Sequence, residues 1–356
     1  MAHRAEYVDD ARAAAAGAST ARDTLSGMAE RPLAADPFVA TNGHLVPRPP
    51  APVRRRERGP ALNIVLFVIT CGTTLLAGTQ SQGSPTFDVF RSSPTPLAWL
   101  LSGVPFAATL LGILVVHEFG HYLTARANGA AVSLPYFIPA PPLFSMGTLG
   151  AVIRMRSAAR DRNALLDIAA AGPLAGLVVA VPMAILGLAW STVVPGAPGG
   201  RFGDSLLTLA LTRLIVGAVP DGMMLYTHPI LDAAWIGFLV TAINLLPAGQ
   251  LDGGRILYAL FPRRHRMLSR ITVGVLATIG LMVAAGYYVT GHHWSVVLFS
   301  ALNWFVWAAL IRFLIGLGHG PVLDPTEPLT PARRLVGIGC LVLLVLMLPP
   351  VLIRAD

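Results

Sequence analysis

The sequence predicts an all-α polytopic membrane protein of about six to seven transmembrane helices, with one helix broken at the active site and a small membrane-associated β hairpin or sheet. Three observations carry that prediction. Apolar residues fill 54% of the 356 positions and charged residues only 12%, against about 25% charged in soluble domains. Seven runs have the length and apolarity to cross a bilayer, which takes about 20 residues of helix: 61–79, 99–126, 164–194, 232–259, 271–291, 294–316 and 334–353. The connections between them alternate between arginine-rich and arginine-poor.

Residues 1–60 are rich in Ala, Arg, Asp and Pro and poor in large apolar side chains. They read as a disordered cytoplasmic tail, followed by an integral membrane domain at 61–356. The first apolar run begins sixty residues in, so a signal peptide is not expected. Glu6, Asp9 and Asp10 fit poorly with an acid-poor organelle presequence.

All 26 basic residues are arginine. Arg54, Arg55, Arg56 and Arg58 precede the first run and Arg126 follows the second. Arg154, Arg156, Arg160 and Arg162 precede the third, and Arg263, Arg264, Arg266 and Arg270 follow the fourth. Arg333 and Arg334 precede the seventh, whereas the alternate connections hold only Arg91, Arg201 and Arg213. The positive-inside rule therefore puts the N-terminus in the cytoplasm and the C-terminus outside. A bacterial inner membrane is the expected location, with a plastid membrane as the alternative. The net charge of +8 reads as topology. No nucleic-acid partner is expected, because the arginines flank spans without aromatic interleaving.

The connection 130–157 does not read as a helix. Pro135, Pro139, Pro141, Pro142, Gly147 and Gly150 interrupt it, and 151–156 alternates weakly at period two. A membrane-dipping hairpin on the cytoplasmic side is expected. Its edge at 148–155 is a candidate to receive an unwound substrate as an added strand. Pro and Gly within 164–194 and 232–259 predict tilts or breaks there. The insert at 195–231 contains an amphipathic apolar stretch, 205–219, of the interfacial type. Cys71 and Cys340 lie in the first and last runs and read as apolar filler.

His117-Glu118-Phe119-Gly120-His121 lies inside the second run. Residues four apart share a helix face, so both imidazoles can reach one metal ion. Glu118, between them, is placed to take a proton from water at that metal. Ionisable groups at membrane depth are costly, and function is their default reading.

A catalytic zinc takes three protein ligands, and the remaining histidines sit in the tail, among arginines or near outer turns. Asp252, in the stretch from Asn244 to Gly254, is the better third candidate. It lies 11 residues before Arg263, as His117 lies nine before Arg126, or about 16 and 14 Å along a helix. The two sites can meet at one level. Pro247, Gly249, Gly253 and Gly254 predict a break around Asp252, and irregular backbone at that depth needs a protein or water-filled surrounding. The alternative is that Asn244 and Asp252 cap half-helices or bond across the bundle.

HExxH on one span and NxxPxxxxDG on a later one resemble the site-2 protease family of intramembrane zinc metalloproteases. The similarity extends through 147–151 and Ala171-Gly172-Pro173-Leu174-Ala175-Gly176, covering roughly 100–260. The wording Gly249-Gln250-Leu251-Asp252-Gly253-Gly254-Arg255 is similar to the branch found in plastids, cyanobacteria and other bacteria. The resemblance implies a three-helix catalytic core at about 99–260, one Zn2+ held by His117, His121 and Asp252, and Glu118 as general base. It implies transmembrane proteins in a lipid bilayer as substrates. Asn244 is placed to donate to the oxyanion or to position substrate, with packing as the alternative. The 195–231 connection is too short for the PDZ module that many bacterial members carry there.

Three other readings remain. A CAAX-type membrane protease needs a later glutamate ligand, and the next one after Glu118 is Glu327, in a loop. A metal transporter needs ligand pairs repeated over several spans. A catalytically inactive family scaffold would lack one of the presumed site residues.

Overall fold

The computed structural model describes residues 38–41, 44–47, 59–80, 95–142, 146–196, 200–320 and 322–355. The chain divides into two units, Met1–Glu57 and Arg58–Asp356. In the first, strand β1 (Phe38–Thr41) pairs antiparallel with β2 (His44–Pro47). The rest of the expected tail at 1–58 lies outside the described residues.

The second unit is mostly helical. Its first helix, α1 (Ala61–Gly78), is followed by a short α2 (Pro96–Leu101), which Thr95 caps by accepting from the Ala98 N–H. Helix α3 (Val104–Ala127) carries the HExxH sequence. Strands β3 (Tyr136–Pro139) and β4 (Thr148–Val152) pair antiparallel where a hairpin was expected. The hairpin is clipped along α1: Asn63 donates to the carbonyls of Leu134 and Pro135, and Thr73 donates to the Gly147 carbonyl at 2.6 Å. Those two anchors are ten residues apart in α1, or about 15 Å, so the hairpin reaches well along that helix.

Helix α4 (Arg162–Ala189) starts at Asp161, whose carboxylate accepts from the Ala164 N–H at 2.8 Å. Although Pro173 and Pro182 lie inside it, α4 is continuous. Of the tilt or break expected at 164–194, no break occurs. Each proline removes one backbone donor, and close packing on both sides keeps the helix intact. The insert then folds as β5 (Thr192–Pro195), β6 (Gly200–Phe202), α5 (Leu206–Ile215) and β7 (Met223–Tyr226), with β5 paired to β7.

The expected break at 232–259 is present. Helix α6 (Pro229–Asn244) ends at the first motif residue, a tight loop covers 245–251, and α7 (Asp252–Leu260) begins at the aspartate. Nearly every residue of α6 is buried, as befits the central helix of the bundle, packed by α3 and α4. Beyond it come α8 (His265–Val289), α9 (Trp294–Ala309) with a π-helical turn at Leu310–Ile315, and α10 (Pro331–Met347). Pro349 and Pro350 end α10 earlier than the run 334–353 suggested, since proline cannot continue a helix. Strand β8 (Ile353–Ala355) pairs back onto β6.

Among the described residues, five helical stretches are long and apolar enough to cross a membrane: Ala61–Gly78, Pro96–Ala127, Arg162–Ala189, His265–Val289 and Trp294–Ile315. The broken α6–α7 pair and the shorter α10 account for the other two expected runs. Large apolar side chains such as Ile64, Val68, Leu281, Met282, Leu335 and Val345 face outward. Exposed apolar surface on this scale is what lipid covers. The inner faces meet in a core that includes Leu166, Ala180, Phe238, Ala242, Ile256 and Ile311. Asp167 of α4 meets Arg333 of α10 in a bidentate pair, with Nη2–Oδ2 at 2.8 Å.

Candidate metal centre

The HExxH segment lies in the second half of α3, and its inward face lies against a run of small residues in α4. A Cβ on Gly120 would stand 2.6 Å from the Ala171 carbonyl oxygen, and one on Gly176 3.2 Å from the His117 Cβ. A side chain on Gly172 would fall on the His121 imidazole itself. The Ala171–Gly176 stretch thus lets two helices close to near backbone contact beside the motif.

That closeness also orients a ligand. His121 Nδ1–H donates to the Ile168 carbonyl of α4 at 2.7 Å. Its Nε2 then presents a lone pair inward, the arrangement in which metal-binding imidazoles are usually held. Across the site, the broken helix delivers Asp252. His121 Nε2 lies 3.0 Å and His117 Nε2 3.6 Å from Asp252 Oδ2, and the two imidazole nitrogens are 3.2 Å apart. Residues 131 positions apart in the chain therefore converge, at a level the spacing to the flanking arginines anticipated.

The donor set fits zinc. Two imidazole nitrogens and a carboxylate oxygen are zinc ligands, and atoms about 2.0–2.1 Å from a tetrahedral zinc lie roughly 3.3 Å from one another. The three observed separations straddle that value. Lone pairs converging this closely in a buried place repel unless positive charge lies among them. Among the described residues, His117, His121 and Asp252 form a possible metal site, all three buried.

Glu118 is buried beside them, 4% exposed. Its carboxylate meets the backbone N–H of Ile153, the residue following β4. The hairpin therefore ends at the site. Asn244, the last residue of α6, brings its Nδ2 to 3.5 Å from His117 Nε2, a contact at the outer limit of hydrogen bonding. All five residues chosen from the sequence are thus brought together.

Other contributors were not chosen. Arg255 Nη1 stands 3.9 Å from Asp252 Oδ1, one turn along α7, leaving Oδ2 to the imidazoles. Arg255 was legible in principle, as a cation three residues from the aspartate on a short helix. The Ile168 carbonyl and the Ile153 N–H are backbone groups, which residue identity does not announce.

Residues 105–286 match the model of Peptidase family M50. The chain belongs to that family. A probable zinc metalloprotease EGY2, chloroplastic, of Oryza sativa subsp. indica is 33% identical over 287 residues, covering 78% of this chain and 47% of that protein. A probable zinc metalloprotease EGY1, chloroplastic, of Arabidopsis thaliana is 32% identical over 308 residues, covering 81% and 52%. The M50 chain thus spans about half the length of these curated relatives. Their chloroplast location does not fit the bacterial inner membrane expected from the sequence. Among solved structures, the site-2 protease from Methanocaldococcus jannaschii aligns with a TM-score of 0.32 at 15% identity, over 73% of this chain and 92% of that one.

Proposed function

We propose that this M50 chain is an intramembrane zinc metalloendopeptidase that hydrolyses peptide bonds in the transmembrane segments of membrane-anchored proteins, as in regulated intramembrane proteolysis. The observation that carries the reading is the meeting of two imidazoles and one carboxylate beside a buried glutamate, on helices apolar enough to lie in a bilayer. The relatives' names, zinc metalloprotease, support it. The membrane domain at 61–356, with a catalytic core at about 99–260, would act as one multi-pass unit. The arginine-rich connections place its N-terminal side in the cytoplasm, or in the stroma if the membrane is a plastid's.

In this mechanism His117, His121 and Asp252 hold the zinc. A zinc ion bound there would polarise the scissile carbonyl and acidify a water. Glu118 takes the proton of the attacking water and passes it to the leaving amide nitrogen. Burial of Glu118 keeps bulk water from competing for that proton. Asn244, whose Nδ2 lies 3.5 Å from His117 Nε2, donates its amide N–H to the developing oxyanion or to a substrate carbonyl.

A helical substrate shields its own peptide bonds, so it must unwind before cleavage. Strand β4 supplies an edge for this: among the described residues it pairs only with β3, and it leads directly to Glu118 through Ile153. An extended substrate added to that edge lies beside the acid–base group. Ala151→Pro, which removes one strand donor, is expected to slow cleavage roughly tenfold, the worth of about one hydrogen bond. Full activity in the folded variant would exclude strand addition. Ile153→Pro is a poorer test, because its N–H serves Glu118.

Purified full-length protein in mixed micelles should cleave single-span peptides. A strong zinc chelator should abolish cleavage, and stoichiometric zinc should restore it. Zinc-loaded, folded protein that cleaves none of a broad panel of single-span peptides would favour the inactive scaffold.

A further inference from the structure

The metal-centre reading leaves one physical problem open. Asp252 must hold an oxygen in place within a few tenths of an ångström, yet it begins α7 at the end of an irregular loop. No side chain caps that helix, since the residue before it is Leu251. The loop folds very tightly on α7. A Cβ on Gly253 would strike the Leu245 carbonyl, and one on Gly254 the carbonyls of Ala248 and Gly249. Gly249, at φ +56°, could carry no side chain without meeting the Gly316 carbonyl. Such backbone needs outside partners for its polar groups at this depth.

The partners come from one face of α8, a helix that contributes no ligand. His265, Ser269 and Thr272 follow at i, i+4 and i+7, the spacing of a single helical stripe. The His265 ring lies against the backbone of Gly249 and Gly254, on either side of Asp252. Its buried Nε2 has no hydrogen-bond partner. Ser269 Oγ accepts from the Gly249 N–H at 3.3 Å, and Thr272 Oγ1 donates to the Pro247 carbonyl at 3.1 Å. His265 and Ser269 are buried. Tyr258, on α7, meets the His265 ring edge-on at 5.7 Å and stacks on His319 at 4.7 Å. The far end of α7 is thereby tied to the same place.

We infer that His265, Ser269 and Thr272 are positioning residues that bracket the loop 247–254 and so hold the Asp252 carboxylate toward His117 and His121. This rests on the metal-centre reading. Hydroxyls in membrane helices commonly bond only to their own helix, whereas Thr272 shares its one hydroxyl proton between the Leu268 carbonyl of α8 and the Pro247 carbonyl of the loop, each at 3.1 Å. Here three successive polar side chains on one stripe all face the single loop that carries the third ligand, and two of them bond to it. Loosening that loop leaves His117 and His121 untouched but lets the carboxylate wander, so the metal should leave faster.

The test is the zinc release rate from full-length, detergent-purified protein, read with a chromophoric chelator in excess. His265→Leu with Thr272→Val removes the polar ring and the hydroxyl while keeping similar volume. Release is expected to accelerate about 10–100-fold, the usual range for losing partners that orient a metal ligand. His265→Asn, which keeps a polar side chain facing the loop, and Thr272→Ser, which keeps the hydroxyl, should each release zinc at close to the wild-type rate. Ser269→Ala, which removes one buried oxygen only, keeps the comparison available if the double variant misfolds. Loss of global stability alone would lower the melting temperature of all the deletion variants without changing release from folded protein.

Zinc that leaves every bracket variant at the wild-type rate, while Asp252→Ala has lost it, would overturn the bracket and leave the metal centre standing. Wild-type protein that binds no zinc would overturn both.

Discussion

Glu118→Gln is expected to keep about one zinc per chain and to cleave a transmembrane peptide roughly 10²–10⁴ times more slowly than wild type, the usual worth of general acid–base catalysis. The substitution is nearly isosteric. The amide oxygen can still accept from the Ile153 N–H that meets the Glu118 carboxylate, so the end of the hairpin stays in place. What is lost is the capacity to take a proton. Zinc content and single-turnover cleavage measured on the same preparation separate the two effects. Cleavage retained at the wild-type rate would assign the base to another group. Loss of zinc together with cleavage would instead mean that Glu118 shapes the metal site.

Asp252→Ala should be the most damaging single change. Structural zinc sites bind with about 10–16 kcal/mol over four ligands, which is on the order of 3 kcal/mol per ligand and roughly a 10²-fold loss of affinity. The real loss should be larger, because removing the carboxylate leaves two imidazole nitrogens facing each other at 3.2 Å and takes from Arg255 its neighbour at 3.9 Å. Cleavage should fall below detection. A chelator-competition titration gives the affinity, and wild-type affinity in this variant would place the third ligand elsewhere.

Both changes act on residues that the sequence made visible, for physical reasons. His117 and His121 stand out because a four-residue spacing on a helix puts two side chains on one face whatever surrounds them. Asp252 stands out because an acid in an apolar run is costly, and the arginines at the run's end give its depth. Pro247 and the neighbouring glycines signalled the break. In each case the residue type itself changes the local energetics.

The same reasoning overreached where packing decides. Pro and Gly within 164–194 suggested a tilt or a break, but α4 runs through Pro173 and Pro182 without a break, packed between α3 and α6. It ran out altogether where backbone does the work or where ordinary residues act by position. Nothing in the identity of Ile168 or Ile153 says that a carbonyl orients His121 or that an N–H meets Glu118. Ser269 and Thr272 look like any hydroxyls of a membrane helix until α8 is seen to lie against the Asp252 loop. The pairing of β8 onto β6, with 150 residues between them, is likewise a tertiary fact with no local signature.

The central claim is that one metal site is built from α3 and from the start of α7, and zinc analysis of purified protein tests it most directly. Wild type, His117→Ala and Asp252→Ala should be compared after identical purification, with folding checked on each. About one zinc per chain in wild type, lost in both variants, is the predicted result. Zinc absent from well-folded wild type, or retained in full by Asp252→Ala, would contradict it.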